Sequence, residues 1–160
     1  MKIRTAVESD LQDIVRAENA CFPQNEAASE RDVRERLRVY PNHFWLMYED
    51  ERLVSFVNGL ATNQPDLTDE MYKNACLHNE GGAWQMIFGV GTVPDQRDKG
   101  RAGELLRFVI SEAEKQGRSG LVLTCKEKLI PFYSKFGFLN EGLSKSEHGG
   151  EVWYQMRLRF

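Results

Sequence analysis

Hydrophobic and polar positions along the chain predict a mixed α/β fold. Apolar residues recur with helical spacing in four segments, and the short apolar or aromatic runs between them have the length of strands. The predicted strands span residues 3–7, 43–48, 53–61, 83–93, 121–125, 138–143 and 152–160. With the helices included, the order is βααβββαβαββ. It predicts one central mixed sheet, mostly antiparallel, with flanking helices.

Residues that cap helices support this assignment. Ser9 and Ser29 can each accept a hydrogen bond at the start of one of the first two helices, and Gly117 can end the third. Glu18 lies on the apolar stripe of the first helix. A carboxyl group at a core-facing position either has a partner in the fold or faces a cavity.

The polar segment 62–82 carries no strong period, apart from a short helix that can begin at Asp66 or Thr68. Polar segments of this length in compact domains often cover a functional site. The 160 residues contain no internal repeat and no flexible linker, so residues 1–160 are expected to form one domain.

The composition excludes several classes of function. Hydrophobic residues make up 41% and charged residues 28%, with a net charge of -3 and both signs interspersed, so no basic face for nucleic acid or an anionic membrane is expected. The apolar runs are too short to cross a bilayer and the chain starts without a signal peptide's apolar stretch, which predicts a cytoplasmic protein. Three widely spaced cysteines fit neither a disulfide framework nor a zinc site, and no metal is predicted.

The segment 97–103 joins a predicted strand to a predicted helix and has features of an anion site. Small residues at 100, 102 and 103 let a ligand approach the backbone, and the first turn of a helix presents unpaired N–H groups. Arg97, Lys99 and Arg101 add positive charge. A pyrophosphate fits this pattern, although a solvated loop before an ordinary helix is equally compatible with it.

The run Arg97-x-x-Gly100-x-Ala102 between strand and helix resembles the [QR]-x-x-G-x-[GA] pyrophosphate loop of the GNAT superfamily of N-acetyltransferases. The order of elements is also similar. Further similarity lies in Ile3-Arg4-x-Ala6, in Glu51-Arg52-Leu53-Val54 and in the segment from Ile130 to Phe138. That last segment, with Cys125 and Glu18-x-x-Cys21-Phe22, is similar to the arylalkylamine (serotonin) N-acetyltransferase branch.

The resemblance implies an enzyme that transfers an acetyl group from acetyl-CoA to an amine while both substrates are bound. It assigns the backbone N–H of Val90 to the thioester oxygen and Tyr133 as the acid that protonates the departing thiolate. The residues that it implies for coenzyme binding are Val90, Thr92, Arg97, Lys99, Gly100, Arg101, Ala102, Gly103 and Lys135.

The acceptor side departs from the branch. Arylalkylamine N-acetyltransferases carry two histidines on the strand matching 83–93, where this chain has Met86 and Phe88. With Phe22, these residues are expected to line an apolar acceptor pocket. Five residues remain as candidate bases or amine-binding groups: Glu18, Glu26, His78, Glu80 and His148.

Other functions remain open at this point. The acceptor is expected to be a small-molecule amine, with a protein amine as a second class, and a non-catalytic acyl-CoA sensor is the rival from another class. Cys125 lies in an apolar strand without a nearby histidine, which favours a buried structural thiol over a nucleophile. The family resemblance makes a homodimer possible, and no residue pattern decides it.

Overall fold

The computed structural model describes residues 1–160 and contains nine strands and five α-helices. The strands are β1 Lys2–Thr5, β2 Phe44–Glu49, β3 Arg52–Asn58, β4 Ala61–Thr62, β5 Trp84–Ile87, β6 Gly89–Thr92, β7 Gly120–Cys125, β8 Leu139–Leu143 and β9 Tyr154–Arg159. The helices are α1 Leu11–Cys21, α2 Glu30–Val39, α3 Asp69–Lys73, α4 Arg101–Lys115 and α5 Ile130–Ser134. The mixed α/β fold predicted from the sequence is confirmed.

The strands form two sheets, so the prediction of a single sheet is wrong. One sheet has the order β1-β2-β3-β6, and the other has the order β4-β5-β7-β9-β8. All pairs are antiparallel except β5 with β7. The predicted strands 53–61 and 83–93 therefore each divide between the two sheets.

Both divisions occur where the two segments cross closely. A Cβ on Gly59 would lie 1.8 Å from the carbonyl oxygen of Met86, so only glycine permits this approach. Phe88, between β5 and β6, donates its N–H to the carbonyl of Asn58 at 2.7 Å. The irregularity at Phe88 acts as a bulge does: it turns the chain so that β6 pairs with β3 instead of continuing the sheet of β5.

The two amino-terminal helices start differently from each other. Ser29 caps α2 as predicted, because its Oγ accepts the N–H of Asp32 at 3.1 Å. The prediction that Ser9 caps the first helix is wrong. A 3-10 turn precedes α1, and there the carboxylate of Asp10 accepts the N–H of Val7 at 2.8 Å and a fork of hydrogen bonds from Arg4.

The core lies between α4 and the sheets, and it continues beneath α1 and α2. Leu105, Leu106 and Val109 on α4 are fully buried, as are Leu46 and Phe56 on the strands of the first sheet. Burial of side chains of this size stabilises the fold by roughly 1.5–3 kcal/mol each. None of the helices combines the length and the hydropathy that crossing a bilayer would require.

The polar segment 62–82 carries α3, which begins after Thr68, the later of the two starting points that the sequence allows. Asp69 at the start of α3 accepts hydrogen bonds from the hydroxyl of Ser146 and the N–H of Glu147. These bonds join the segment to the loop between β8 and β9. The two loops together border the cavities described next.

Candidate active site

A cleft opens where β6 and β7 diverge. The parallel pairing of β5 with β7 runs from Trp84–Gly120 to Ile87–Leu123 and then stops. Beyond it, β6 joins β3, while the end of β7 stays with β9. The cleft has a volume of about 450 Å³. Its walls carry unpaired strand edges, which offer backbone hydrogen-bonding groups to a ligand.

The backbone of β6 presents the N–H of Val90 to this cleft. Val93 donates its N–H to the carbonyl of Val54 at 3.0 Å, which makes 54 and 93 a hydrogen-bonded pair of the antiparallel ladder. Because such pairs alternate, the pair Val57–Val90 is non-hydrogen-bonded. The N–H of Val90 therefore points away from β3, and Val90 lines the cleft.

Tyr133 lies on the opposite wall, at the carboxyl side of the short helix α5. Its side chain is buried and lines the cleft, and its hydroxyl forms no hydrogen bond with another protein group. Burial raises the pKa of Tyr133, so the phenol keeps its proton at neutral pH. A free hydroxyl in this position can donate to a ligand atom.

The two cysteines that line the cleft are poor nucleophiles. Burial raises the pKa of Cys21 and of Cys125 to about 11 in each case. The thiol of Cys125 donates to the sulfur of Met156 at 3.6 Å, which fits the structural role favoured by the sequence.

The loop 97–103 has the backbone shape of an anion site. Gly100 adopts a left-handed conformation with φ +75°, and α4 begins at the next residue. Open space surrounds the position of a Cβ on Gly100. The N–H groups of the first turn of α4, including those of Ala102 and Gly103, have no intrahelical partner.

Basic side chains surround this turn. Arg97 lines the cleft and donates from Nε to the carbonyl of Thr92 at 3.1 Å, which ties the loop to the end of β6. Lys99 is exposed, and the buried Nε of Arg101 has no partner. A Cβ on Gly103 would lie 3.3 Å from the ring of Phe136, so the segment after α5 packs closely against this turn, and Lys135, which precedes Phe136, is exposed.

A second cavity of about 630 Å³ adjoins the cleft. The two share a boundary formed by Glu18, Glu26, Tyr72, Phe88, Gly89 and His148. Phe88 lines both spaces, whereas Phe22 lines only the cleft. Met86 is wrongly assigned, because it is fully buried in the core and lines neither space.

Glu18 is the most enclosed of the candidate bases. It is 5% exposed, and one carboxylate oxygen accepts the N–H of Ala28 at 2.9 Å. The other oxygen has no partner within the protein. Burial raises the pKa of Glu18, because the charged form is poorly solvated there. From the sequence, the Glu18 carboxyl group could either have a partner or face a cavity. In the structure one oxygen has a partner, and the side chain lines both spaces.

The other candidates at this boundary have partners. Glu26 forms an ion pair with Lys126 at 2.8 Å, and its carbonyl accepts a hydrogen bond from His148 Nε2 at 2.9 Å. That bond leaves Nδ1 of His148 as the acceptor nitrogen. The His148 ring stacks on Tyr72 with the centroids 4.6 Å apart.

His78 and Glu80 lie elsewhere, in a cluster with His43 at the start of β5. His78 Nδ1 accepts the N–H of Ala61 at 3.0 Å, so Nε2 carries the proton and donates to Glu80 at 3.1 Å. His43 faces Gln85 with one nitrogen and Glu80 with the other, at 2.7 and 3.0 Å. The nitrogen lone pair that His78 would need to bind a metal ion is thus used in hydrogen bonding. The cluster fastens the 62–82 segment to the sheet.

This cluster predicts acid sensitivity of the fold. Burial alone would raise the pKa of Glu80, but hydrogen bonds from His43, His78 and Asn42 lower it to about 2. Burial lowers the pKa of His78. Both groups hold protons less tightly in the folded chain than in the unfolded chain. Stability is therefore greatest above their ordinary pKa values and falls as the pH drops below them.

Replacing Glu80 with glutamine is expected to cost about 1 kcal/mol of the free energy of unfolding at pH 7. The figure is small because the Glu80 side chain is 60% exposed and solvent screens its charge. The same change should flatten the loss of stability between about pH 4.5 and about 2. Urea denaturation across this range measures both effects. Glu114→Gln, an exposed substitution of the same kind on α4, is the control, and equal curves for the two variants would contradict the prediction.

Several residues of the site were not singled out by the sequence. Lys126, Trp153 and Tyr72 come from three separate segments that only the fold brings together. Arg36 was detectable, since it shares the apolar face of α2 with Val33 and Tyr40 yet is charged. A buried cation at such a position indicates a polar cavity or a buried partner.

Comparison with known proteins gives a consistent result. The family model of the acetyltransferase (GNAT) family matches residues 11–138. Serotonin N-acetyltransferase of Mesocricetus auratus is 30% identical over 108 residues, which are 67% of this chain and 51% of that protein. The chain thus spans about half the length of this relative.

Two solved structures share the fold. One is the GphF GNAT-like decarboxylase in complex with isobutyryl-CoA, with a TM-score of 0.85, 18% identity and coverage of 99% of each chain. The other is the ribosomal-protein-S18-alanine N-acetyltransferase from Escherichia coli, with a TM-score of 0.72 and 18% identity over 99% of this chain and 92% of that one.

Proposed function

The chain belongs to the GNAT family of acetyltransferases, and on that basis we propose that residues 1–160 form one domain that transfers the acetyl group of acetyl-CoA to an amine. The observation that carries the proposal is the continuity of two spaces. The cleft between β6 and β7 ends at Tyr133 and the Val90 N–H, and it opens directly into a second cavity beside Glu18. A thioester in the first space and an amine in the second would meet at this boundary.

Acetyl-CoA would bind with its pyrophosphate at the first turn of α4. Backbone N–H groups around Gly100 and the positive end of the helix favour a multiply charged anion there. Arg97, Lys99 and Lys135 would add ionic contacts. From this turn, the pantetheine chain can follow the edge of β6 past Thr92 toward Val90, because this edge has no neighbouring strand.

Two groups would act on the thioester. As the amine attacks, the carbonyl oxygen gains negative charge, and the N–H of Val90 is already oriented into the cleft to stabilise it. Tyr133 would donate a hydrogen bond to the sulfur as the carbon–sulfur bond breaks. Direct attack is favoured over an acyl-enzyme, since the cleft cysteines are protonated at neutral pH.

Glu18 would accept the proton of the amine. It lies one helical turn before Phe22, and it lines both spaces together with Gly89 at the start of β6. Because burial raises the pKa of Glu18, the carboxylate is a stronger base than an exposed one. The acceptor would be a small-molecule amine able to enter this cavity.

The proposal is tested by release of free CoA from acetyl-CoA with a panel of primary amines. Tyr133→Phe is expected to lower kcat about tenfold to thirtyfold. The loss is moderate because a thiol has a pKa of about 8.5, so the thiolate can leave without full protonation.

Tyr40→Phe is the matched control for this experiment. The Tyr40 hydroxyl is also buried and unpartnered, but it lies at the end of α2, away from the cleft. Its removal should leave kcat unchanged. Binding of acetyl-CoA without turnover of any amine would refute the proposed transferase activity and favour an acyl-CoA sensor. Equal rates for both variants would refute the role of Tyr133 as the acid.

A further inference from the structure

The cavity next to the cleft has an acidic wall. Its lining includes six carboxyl groups and two cationic side chains, Arg36 and Lys73. The carboxyl groups belong to Glu18, Glu26, Asp32, Asp69, Glu70 and Glu147. Such a surface attracts cations and concentrates them at the cavity.

Three of these carboxylates are free to bind a ligand. Asp69 is occupied by the loop that contains Ser146, and Glu26 is paired with Lys126. The side chains of Asp32, Glu70 and Glu147, in contrast, make no hydrogen bond and no ion pair within the protein. They come from α2, α3 and the β8–β9 loop, so three separate segments direct negative charge to one cavity.

The inner end of the cavity has a different character. Glu18 presents its unpartnered oxygen there from an otherwise buried side chain. Close to it, Arg36 is 4% exposed and donates to the side-chain oxygen of Asn58 and to the carbonyl of Tyr72, at 3.1 and 2.8 Å. No carboxylate pairs with this guanidinium. A second positive charge is therefore disfavoured beside it, and a neutral amine that has given its proton to Glu18 is favoured.

The lining offers little surface for an aromatic acceptor. Its apolar members are Ala27, Ala28, Tyr72 and Phe88, and the last two are in contact with each other and with the boundary to the cleft. A bulky aryl group in the outer cavity would displace water from carboxylates without pairing them, which costs free energy. An aliphatic chain that ends in an ammonium group would instead pair them.

We propose that the acceptor is a linear aliphatic diamine or polyamine. One nitrogen reaches the thioester next to Glu18, and a second, charged nitrogen binds the carboxylates of Asp32, Glu70 and Glu147. This inference rests on the proposed acetyltransferase function and specifies its substrate class.

The test compares three acceptors in the CoA-release assay: hexylamine, hexamethylenediamine and tryptamine. The first two have the same chain length and differ only in the second amino group. At low ionic strength, kcat/KM is expected to be about tenfold higher for the diamine than for hexylamine, and added salt should reduce this preference. Tryptamine should be the poorest acceptor.

Variants locate the second amino group. Glu70→Gln and Glu147→Gln should each raise KM for the diamine about twofold to fivefold relative to hexylamine, because each removes one screened ionic contact. Glu114→Gln, which removes a charge far from the cavity, should not alter the ratio. Equal kcat/KM for the two aliphatic amines, or a preference for tryptamine, would overturn the inference while leaving the transferase activity established. No CoA release with any amine would overturn both.

Discussion

Replacing Glu18 with glutamine is expected to lower kcat/KM about a hundredfold or more at pH 7 and to change the shape of its pH dependence. An alkylamine has a pKa of about 10.4, so it reaches the enzyme as an ammonium ion. In the wild type, Glu18 takes that proton within the site, and kcat/KM should be level from above the pKa of Glu18 up to that of the amine. Without the carboxylate, only the neutral fraction reacts, and kcat/KM should rise about tenfold per pH unit up to about pH 10.

Glu18 also determines how kcat/KM changes at acidic pH. Burial raises the pKa of Glu18, and the wild-type rate should fall when the pH drops below that raised value, because the carboxylate is then protonated. In Glu18→Gln this fall is absent, and the difference between the two proteins narrows toward alkaline pH. Initial rates of CoA release over a pH series measure both features.

His148→Gln is the informative comparison, since His148 borders the same two spaces and has a free Nδ1 acceptor. Because Glu18 is still present, kcat/KM of this variant should remain independent of pH between the pKa of Glu18 and that of the amine. If kcat/KM of His148→Gln instead rises tenfold per pH unit, His148 is the base. A loss in Glu18→Gln that is the same at every pH would show a purely structural role for the carboxyl group.

The features that the sequence predicted correctly depend on near neighbours in the chain. Ser29 caps α2 through a residue three positions later, and Gly117 has a positive φ value, as helix-ending glycines do. The mixed α/β fold belongs to the same class, because periodicity is a local signal.

The features that the sequence did not predict depend on contacts between distant segments. Met86 and Phe88 were both assigned to the acceptor pocket, because they stand where the arylalkylamine branch has its two strand histidines. The close crossing at Gly59 ends β5 before Phe88, and so Met86 remains in the core while Phe88 reaches the cavities. The ion pair of Glu26 with Lys126 joins residues 100 positions apart, which no periodicity could indicate.

Replacing Gly100 with valine is expected to lower the affinity for acetyl-CoA about a hundredfold. The residue has φ +75°, a conformation that costs a β-branched side chain roughly 1–2 kcal/mol or more, so the loop should shift to relieve the strain. Loss of one or two charge-assisted hydrogen bonds to the pyrophosphate accounts for the expected change, at about 1.5–3 kcal/mol each. Isothermal titration calorimetry with acetyl-CoA measures it.

Gly117→Val separates the loss of the anion site from backbone strain. Gly117 has φ +78° and, like Gly100, open space where a Cβ would lie, but it is at the other end of α4. The two variants should lose similar free energies of unfolding, while only Gly100→Val loses affinity for acetyl-CoA. Unchanged affinity in Gly100→Val, or equal losses of affinity in both, would show that the turn at the start of α4 does not hold the pyrophosphate. The thioester would then lack its anchor relative to Val90 and Tyr133, and the assigned chemistry would need another path into the cleft.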